Sequence, residues 1–243
     1  MLIGIAAATL APGALLAQAA GGPDAATRAV DARALEGPPA TLLFFDVPTR
    51  APLVGPLLAQ AGCAVDGASV VRIELPGRRF EPPLPLRPVD AGRATPVDAL
   101  ASQWAALLDG AVDRAVAGWM PRARPTARAL LSDPDAIGRY RREAEEAARA
   151  GPPPIDAIAW LDVDGGPTAV LLTEGASTPY TLGMTVGYRR ADDGDFLLAL
   201  DVALDTRFAL LGRAVQEGAF GSVEPEAPPP AGTRRFAEVC RGE

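Results

Sequence analysis

The 243-residue chain predicts an α+β protein, with an N-terminal βαβ-like segment and two helices packed on a four-stranded antiparallel β-meander. Three observations lead there. Two apolar runs of strand length, Thr41–Val47 (TLLFFDV) and Ala68–Leu75 (ASVVRIEL), flank a short helical stretch. Leu100, Trp104, Leu107, Leu108, Ala111, Val112, Ala115 and Trp119 recur at helical spacing, as an apolar stripe facing a core does. Finally, Ile155 to Asp205 divides into strand-length runs separated by turn signals.

The segment before the first strand has its own character. Met1–Ala20 carries no charged side chain, Leu2–Leu16 is an apolar run of signal-peptide length, and Ala17-Gln18-Ala19 is a small-x-small cleavage pattern. Only the Met1 amine supplies positive charge ahead of that run, and Pro12 and Gly13 suit a permanent membrane helix poorly. The expectation is a cleaved export signal over 1–20 and a periplasmic or secreted protein; an uncleaved anchor and a buried helix are the other readings. No cysteine lies near the cleavage point, so a lipoprotein is not indicated, and no later stretch reaches the 18 apolar residues of a membrane span. The remaining organisation is a βαβ-like and helical segment over 21–152, the meander over 153–222 sharing the same core, and a Pro-rich tail over 223–243.

Within 21–152, Asp24–Glu36 reads as a short helix ended by Gly37-Pro38-Pro39. Thr49 caps a helix over Ala51–Ala61 that Gly62 stops, giving with the two apolar runs a right-handed βαβ unit. Pro76–Pro96, rich in Pro and Arg, reads as a surface connector. Val97–Met120 forms one long amphipathic helix ended by Pro121. A second begins at Ser132-Asp133-Pro134 with Pro in its first turn, runs through Arg149 and closes at Gly151-Pro152; its charged face places it outermost.

In the meander the expected strands are Ile155–Val163, Pro167–Glu174, Tyr180–Arg190 and Asp195–Asp205. Tyr180, Leu182, Met184, Val186 and Tyr188 share one face of the third, and Phe196, Leu198, Leu200, Val202 and Leu204 one face of the fourth. One side of the sheet is therefore expected to be buried, against the Trp104 helix. The other face of the third strand is Thr181, Gly183, Thr185, Gly187 and Arg189. Two glycines on one face call for a reason: close approach of another element, strand curvature, or the floor of a ligand pocket with Arg189 at its rim. Thr206–Gly218 then closes the domain as a helix.

Composition narrows the chemistry. All 23 basic residues are Arg, against 30 acidic ones, for a formal charge of -7; there is no His, no Lys and no Asn. His general bases, Ser-His-Asp and Cys-His constellations, His-ligated metals, Schiff-base lysines and P-loop lysines are excluded. The acidity speaks against nucleic acid as a partner; Arg78-Arg79, Arg122 with Arg124, and Arg139 with Arg141 and Arg142 read as solvated charge. The two cysteines, Cys63 and Cys240, form an even pair that an oxidising compartment would join; two unrelated thiols are the alternative.

Two acidic clusters stand out, Asp162 with Asp164 and Asp192 with Asp193 and Asp195. In an up-and-down meander their turns lie at one end of the sheet. Oxygen ligands gathered there can hold Ca²⁺ or Mg²⁺, although Asp-Gly is equally the common hairpin turn pair and needs no metal. The run Leu161-Asp162-Val163-Asp164-Gly165-Gly166 resembles the nucleophile motif of haloacid dehalogenase-type phosphatases, which would make Asp162 the nucleophile and Asp164 the acid-base. It departs from them because strand pattern resumes straight after the turn and no Lys exists to stabilise a phosphoryl group. The strand-to-helix outline near Thr41 is likewise similar to thioredoxin-like folds, yet Asp46-Val47-Pro48-Thr49-Arg50 lacks both redox cysteines. The function expected is a non-catalytic binding or accessory module of the cell envelope, with no required cofactor and an unknown small molecule or envelope protein as partner; the alternative is a small metal-dependent hydrolase using the acidic turn rim.

Overall fold

A computed structural model describes residues 37–51, 54–150, 154–163, 166–172, 185–216 and 229–240. The expected signal segment, the helix over Asp24–Glu36, and Tyr180, Leu182 and Gly183 lie outside the described residues. The fold is α+β, built on one mostly antiparallel sheet in the order β1-β2-β3-β4-β5-β6, with β7 added to β2.

The first departure from expectation comes at once. β1 (Leu42–Pro48) and β2 (Val70–Leu84) are antiparallel, with Leu42 opposite Pro76 and Pro48 opposite Val70, so the segment is not a parallel βαβ unit. The intervening helix α1 (Val54–Gln60) has seven residues and rises only about 10 Å. Seven residues of β1 span about 23 Å, so α1 is too short to return the chain to the start of β1. Instead the chain turns beside Thr49, whose amide donates to Ser69 O at 3.0 Å and whose hydroxyl donates to Ala68 O at 2.7 Å.

β2 also runs well into the stretch expected as a connector. Gly77, Arg78 and Arg79 pair with Ala159, Ile158 and Ala157 of β3 (Ile155–Val163); the register then shifts before Leu84 meets Ile155. Pro82 and Pro83 fall within that shift, where a strand tolerates missing donors.

Among the described residues, four α-helices and a 3₁₀ turn over Pro121–Ala123 lie between β2 and β3. The expected single helix over Val97–Met120 is two, α2 (Pro96–Leu108) and α3 (Val112–Ala117). Gly110, at φ 65°, takes the left-handed conformation that ends the first. Thr95 caps α2 by accepting from the Asp98 amide. α4 (Arg124–Leu131) and α5 (Pro134–Ala150) follow, and α5 starts at its proline as expected, with Arg139, Arg141 and Arg142 exposed.

β3, β4 (Gly166–Leu172), β5 (Thr185–Arg190) and β6 (Phe196–Leu198) pair antiparallel in chain order. They continue the sheet of β1 and β2 instead of standing under it, and both their faces are buried. On one, Ile158, Trp160, Leu171, Tyr188 and Phe196 pack with Leu100 of α2. On the other, Ala159, Leu161, Val170 and Leu172 join Phe45 and Ile73 of β1 and β2, Leu58 of α1, and Leu210 and Leu211 of α6 (Thr206–Gln216). The expected one-sided sheet is not found: the buried runs of β3 and β4 are continuous, and Gly187, Tyr188 and Arg189 of β5 are buried in succession, as strands covered on both sides require.

The expected fourth strand is also shorter. After Leu198 the chain leaves the sheet and forms a 3₁₀ turn over Asp201–Leu204. Val202 then packs in the α6-side core, whereas Leu204 is 77% exposed. The outer edge of β6 is closed by backbone bonds from Met120 N to Leu198 O and from Leu198 N to Gly118 O.

The last described segment returns to the β1–β2 side of the sheet. β7 (Thr233–Arg235) lies parallel to Val70–Arg72, and α7 (Phe236–Val239) brings Cys240 to a disulfide with Cys63 across 177 residues.

Candidate functional site

The register Val163 opposite Gly166, Thr168 opposite Arg189, and Arg190 opposite Phe196 places the β3–β4 and β5–β6 turns at the same end of the sheet. This is the rim on which the sequence gathers its carboxylates; Asp164 lies outside the described residues.

Each described carboxylate on the rim can be traced to its surroundings. Asp192 and Asp193 are exposed. Asp193 Oδ1 accepts from the Asp195 amide at 3.1 Å, and Gly194 at φ 93° completes the turn. Asp195 Oδ2 lies 3.9 Å from Arg93 Nη1, on the α2 side of the sheet. The exposed Asp162 lends its backbone carbonyl to Arg207 Nη2 at 2.7 Å. Two further acids from the 3₁₀ turn and its exit join them: Asp201, 2.7 Å from Arg189 Nη1, and Asp205, whose two oxygens take Arg207 Nε and Nη2 at 3.1 and 2.6 Å. The forked guanidinium is suited to taking both oxygens of a carboxylate at once. Among the described residues no three acidic, His or Cys side chains converge as a metal-binding group. Asp193, Asp195, Asp201 and Asp205 are thus engaged by arginines or by their own turn.

The glycine face follows the same logic. A Cβ on Gly187 would lie 2.6 Å from Val202 Cγ1 and 3.3 Å from Thr168 Cγ2, so the space above it is taken by the 3₁₀ turn. Close approach is thus why glycine stands at 187. Arg189 is 6% exposed, and its Nε donates to the fully buried Thr168 Oγ1 at 3.1 Å.

Two groups were not legible as site candidates. On the outer face of β1 and β2, Asp46 and Arg72 sit opposite each other and form a two-bond pair of 2.8 and 2.9 Å, with the guanidinium 5.5 Å from the Phe44 ring. The hydrogen bond to Asp46 pushes the Arg72 pKa upward against the desolvation of burial. Their spacing in sequence carries no signal; only the cross-strand register joins them. The other is Tyr188, 1% exposed, whose hydroxyl has no hydrogen-bond partner among the described residues. Burial raises its pKa well above the ordinary tyrosine value, with a smaller opposing effect from Arg93.

Tyr188 yields a clear expectation. Tyr188→Phe removes an unsatisfied buried hydroxyl and should stabilise the fold by about 1 kcal/mol. The folded-state pKa is raised, so below pH about 10 the group is neutral in both states. Above that, only the unfolded chain loses the proton and stability falls as pH rises. Thermal melts from pH 8 to 11 should show a shallower alkaline decline in the phenylalanine variant. A variant that melts lower than the parent at neutral pH would show that the hydroxyl is satisfied.

Compared with protein-family models, curated proteins and solved structures, the chain matches none of them.

Proposed function

We propose that the protein is a disulfide-stapled binding or accessory module of the cell envelope that acts through contacts and not through bond chemistry. The observation that carries this reading is the rim itself. Of the described acids that the sequence concentrates there, Asp195 lies beside Arg93 and Asp193 is used by its own turn, and the neighbouring Asp201 and Asp205 are matched to arginines. A chain without His or Lys leaves chiefly its carboxylates to serve as general bases near neutral pH. The Cys63–Cys240 bond fits an oxidising compartment, as does the signal-like Met1–Ala20, and no helix among the described residues is long and apolar enough to cross a membrane.

The compartment is tested by fractionating cells that express the full chain and measuring its mass and free thiols. The expected species is found outside the cytoplasm, begins near Ala20 and carries no free thiol. A cytoplasmic, full-length, reduced protein would overturn the export part of the proposal.

The module reading is tested at the rim. Calcium or magnesium at millimolar concentration should leave Tm unchanged, and the pair Asp162→Ala with Asp193→Ala should be destabilised by no more than about 1.5 kcal/mol, the loss of one exposed turn hydrogen bond. An ion-dependent rise in Tm that this pair abolishes would instead establish a cation site and return the hydrolase reading.

A further inference from the structure

The C-terminal segment 229–240 is held to the body by few contacts apart from its covalent bond. β7 contributes three residues of parallel pairing to Val70–Arg72, and α7 is a single turn. Two backbone bonds close the ends of the contact, from Ser69 N to Gly232 O at 3.0 Å and from Ala64 N to Val239 O at 2.8 Å. Val239, 3% exposed, is the buried anchor of the segment; Phe236 and Cys240 are partly buried beside the same core. One surface ion pair, Arg235 with Glu74 at 3.1 Å, adds little in water. Meanwhile β2 is independently secured by β1 over Val70–Pro76 and by β3 over Gly77–Leu84. The body therefore has its own fold, and the segment is a strand laid on from outside.

Neither half of the Cys63–Cys240 bond is buried in the core; both cysteines are only partly covered. From this arrangement we infer that 229–240 is a redox latch: reducing the one disulfide frees the segment and bares the β2 edge at Val70–Arg72, while the rest of the sheet stays folded. In the reduction a dithiol thiolate attacks one sulfur and forms a mixed disulfide. Its second thiol then closes the dithiol to a cyclic disulfide, and Cys63 and Cys240 leave as two thiols. An uncovered strand edge presents unpaired backbone donors and acceptors, which another extended chain can take up.

The test uses the full chain, oxidised and then reduced with dithiothreitol, followed by amide hydrogen exchange. No variant has to fold for it. Reduction should speed exchange at Ala64, at Ser69 and across Thr233–Cys240 to near-unprotected rates, while β3 and β4 amides stay protected and speed up only by the loss of global stability. Unchanged protection at Ala64 and Ser69 would overturn the inference, because the segment would then hold without its bond. Simultaneous loss over β3 and β4 would overturn it equally, because the bond would then hold the whole fold. Gly232→Val with the disulfide intact gives a second reading, since its Cβ would meet Ser69 Oγ at 2.5 Å in a backbone of φ 78°. Exchange should rise at Ser69 far more than in β3 and β4, which should stay protected; failure to do so also counts against a weakly seated strand.

Discussion

Valine in place of Gly77 should destabilise the protein by about 2–3 kcal/mol, the range typical of forced overpacking in a filled core. A Cβ at this position would stand 2.6 Å from the carbonyl oxygen of Ile158 and 2.5 Å from Leu43 Cδ1. The leucine can shift; the carbonyl belongs to the backbone of β3, directly beside the Gly77–Ala159 pairing. Relief of the clash must therefore part β2 from β3 at the point where the two halves of the sheet join. For a chain of this size the expected fall in Tm is roughly 4–12 °C. Gly55→Ala is the matched control, since its Cβ would approach only Thr49 O, at 3.7 Å, within helix α1. If Gly77→Val melts with the control, the close approach of β2 to β3 is not as described.

Loss of the disulfide should have the larger effect on unfolding. Closing 177 residues restricts the unfolded chain by about 4–5 kcal/mol in the chain-entropy account. Release of 229–240 from the reduced protein limits the loss to something below that figure, because the body keeps its own core. Replacing both Cys63 and Cys240 with alanine should lower Tm by on the order of 10 °C at 2–4 °C per kcal/mol, with a cooperative transition retained. Circular dichroism melts of the parent under oxidising and reducing conditions check the same quantity without substitution. Equal melting temperatures would show that the bond closes without constraining the unfolded chain.

Local pattern was a good guide wherever one residue type dictates one outcome. Pro134 opened α5 because the first helical turn needs no donor, and the β3 and β4 runs were legible as strands from their apolar length alone. The two-cysteine arithmetic likewise identified the Cys63–Cys240 pair. What failed depended on distance in three dimensions. Strand direction could not be taken from the order strand, helix, strand; it was set by α1 being too short to recross β1. The alternation in Phe196–Leu204 predicts a strand, whereas Gly187 on the neighbouring strand opens the space that lets Val202 turn under the sheet. At the rim, turn position was legible from the Asp-Gly signals, but the arginines that occupy the carboxylates come from β5, α6 and the loop before α2. No spacing rule links them.

The chain departs from the sheet at Leu84 and comes back at Ile155, which are cross-strand partners. Everything from α2 to α5 is thus an excursion whose two feet stand side by side, a geometry in which length can change without disturbing the strands beneath. Its presence is another matter: a tight hairpin there would satisfy the backbone yet leave Ile158, Trp160, Leu171 and Phe196 facing water. Over time the excursion is free to lengthen, shorten or resurface itself, but the sheet cannot do without it.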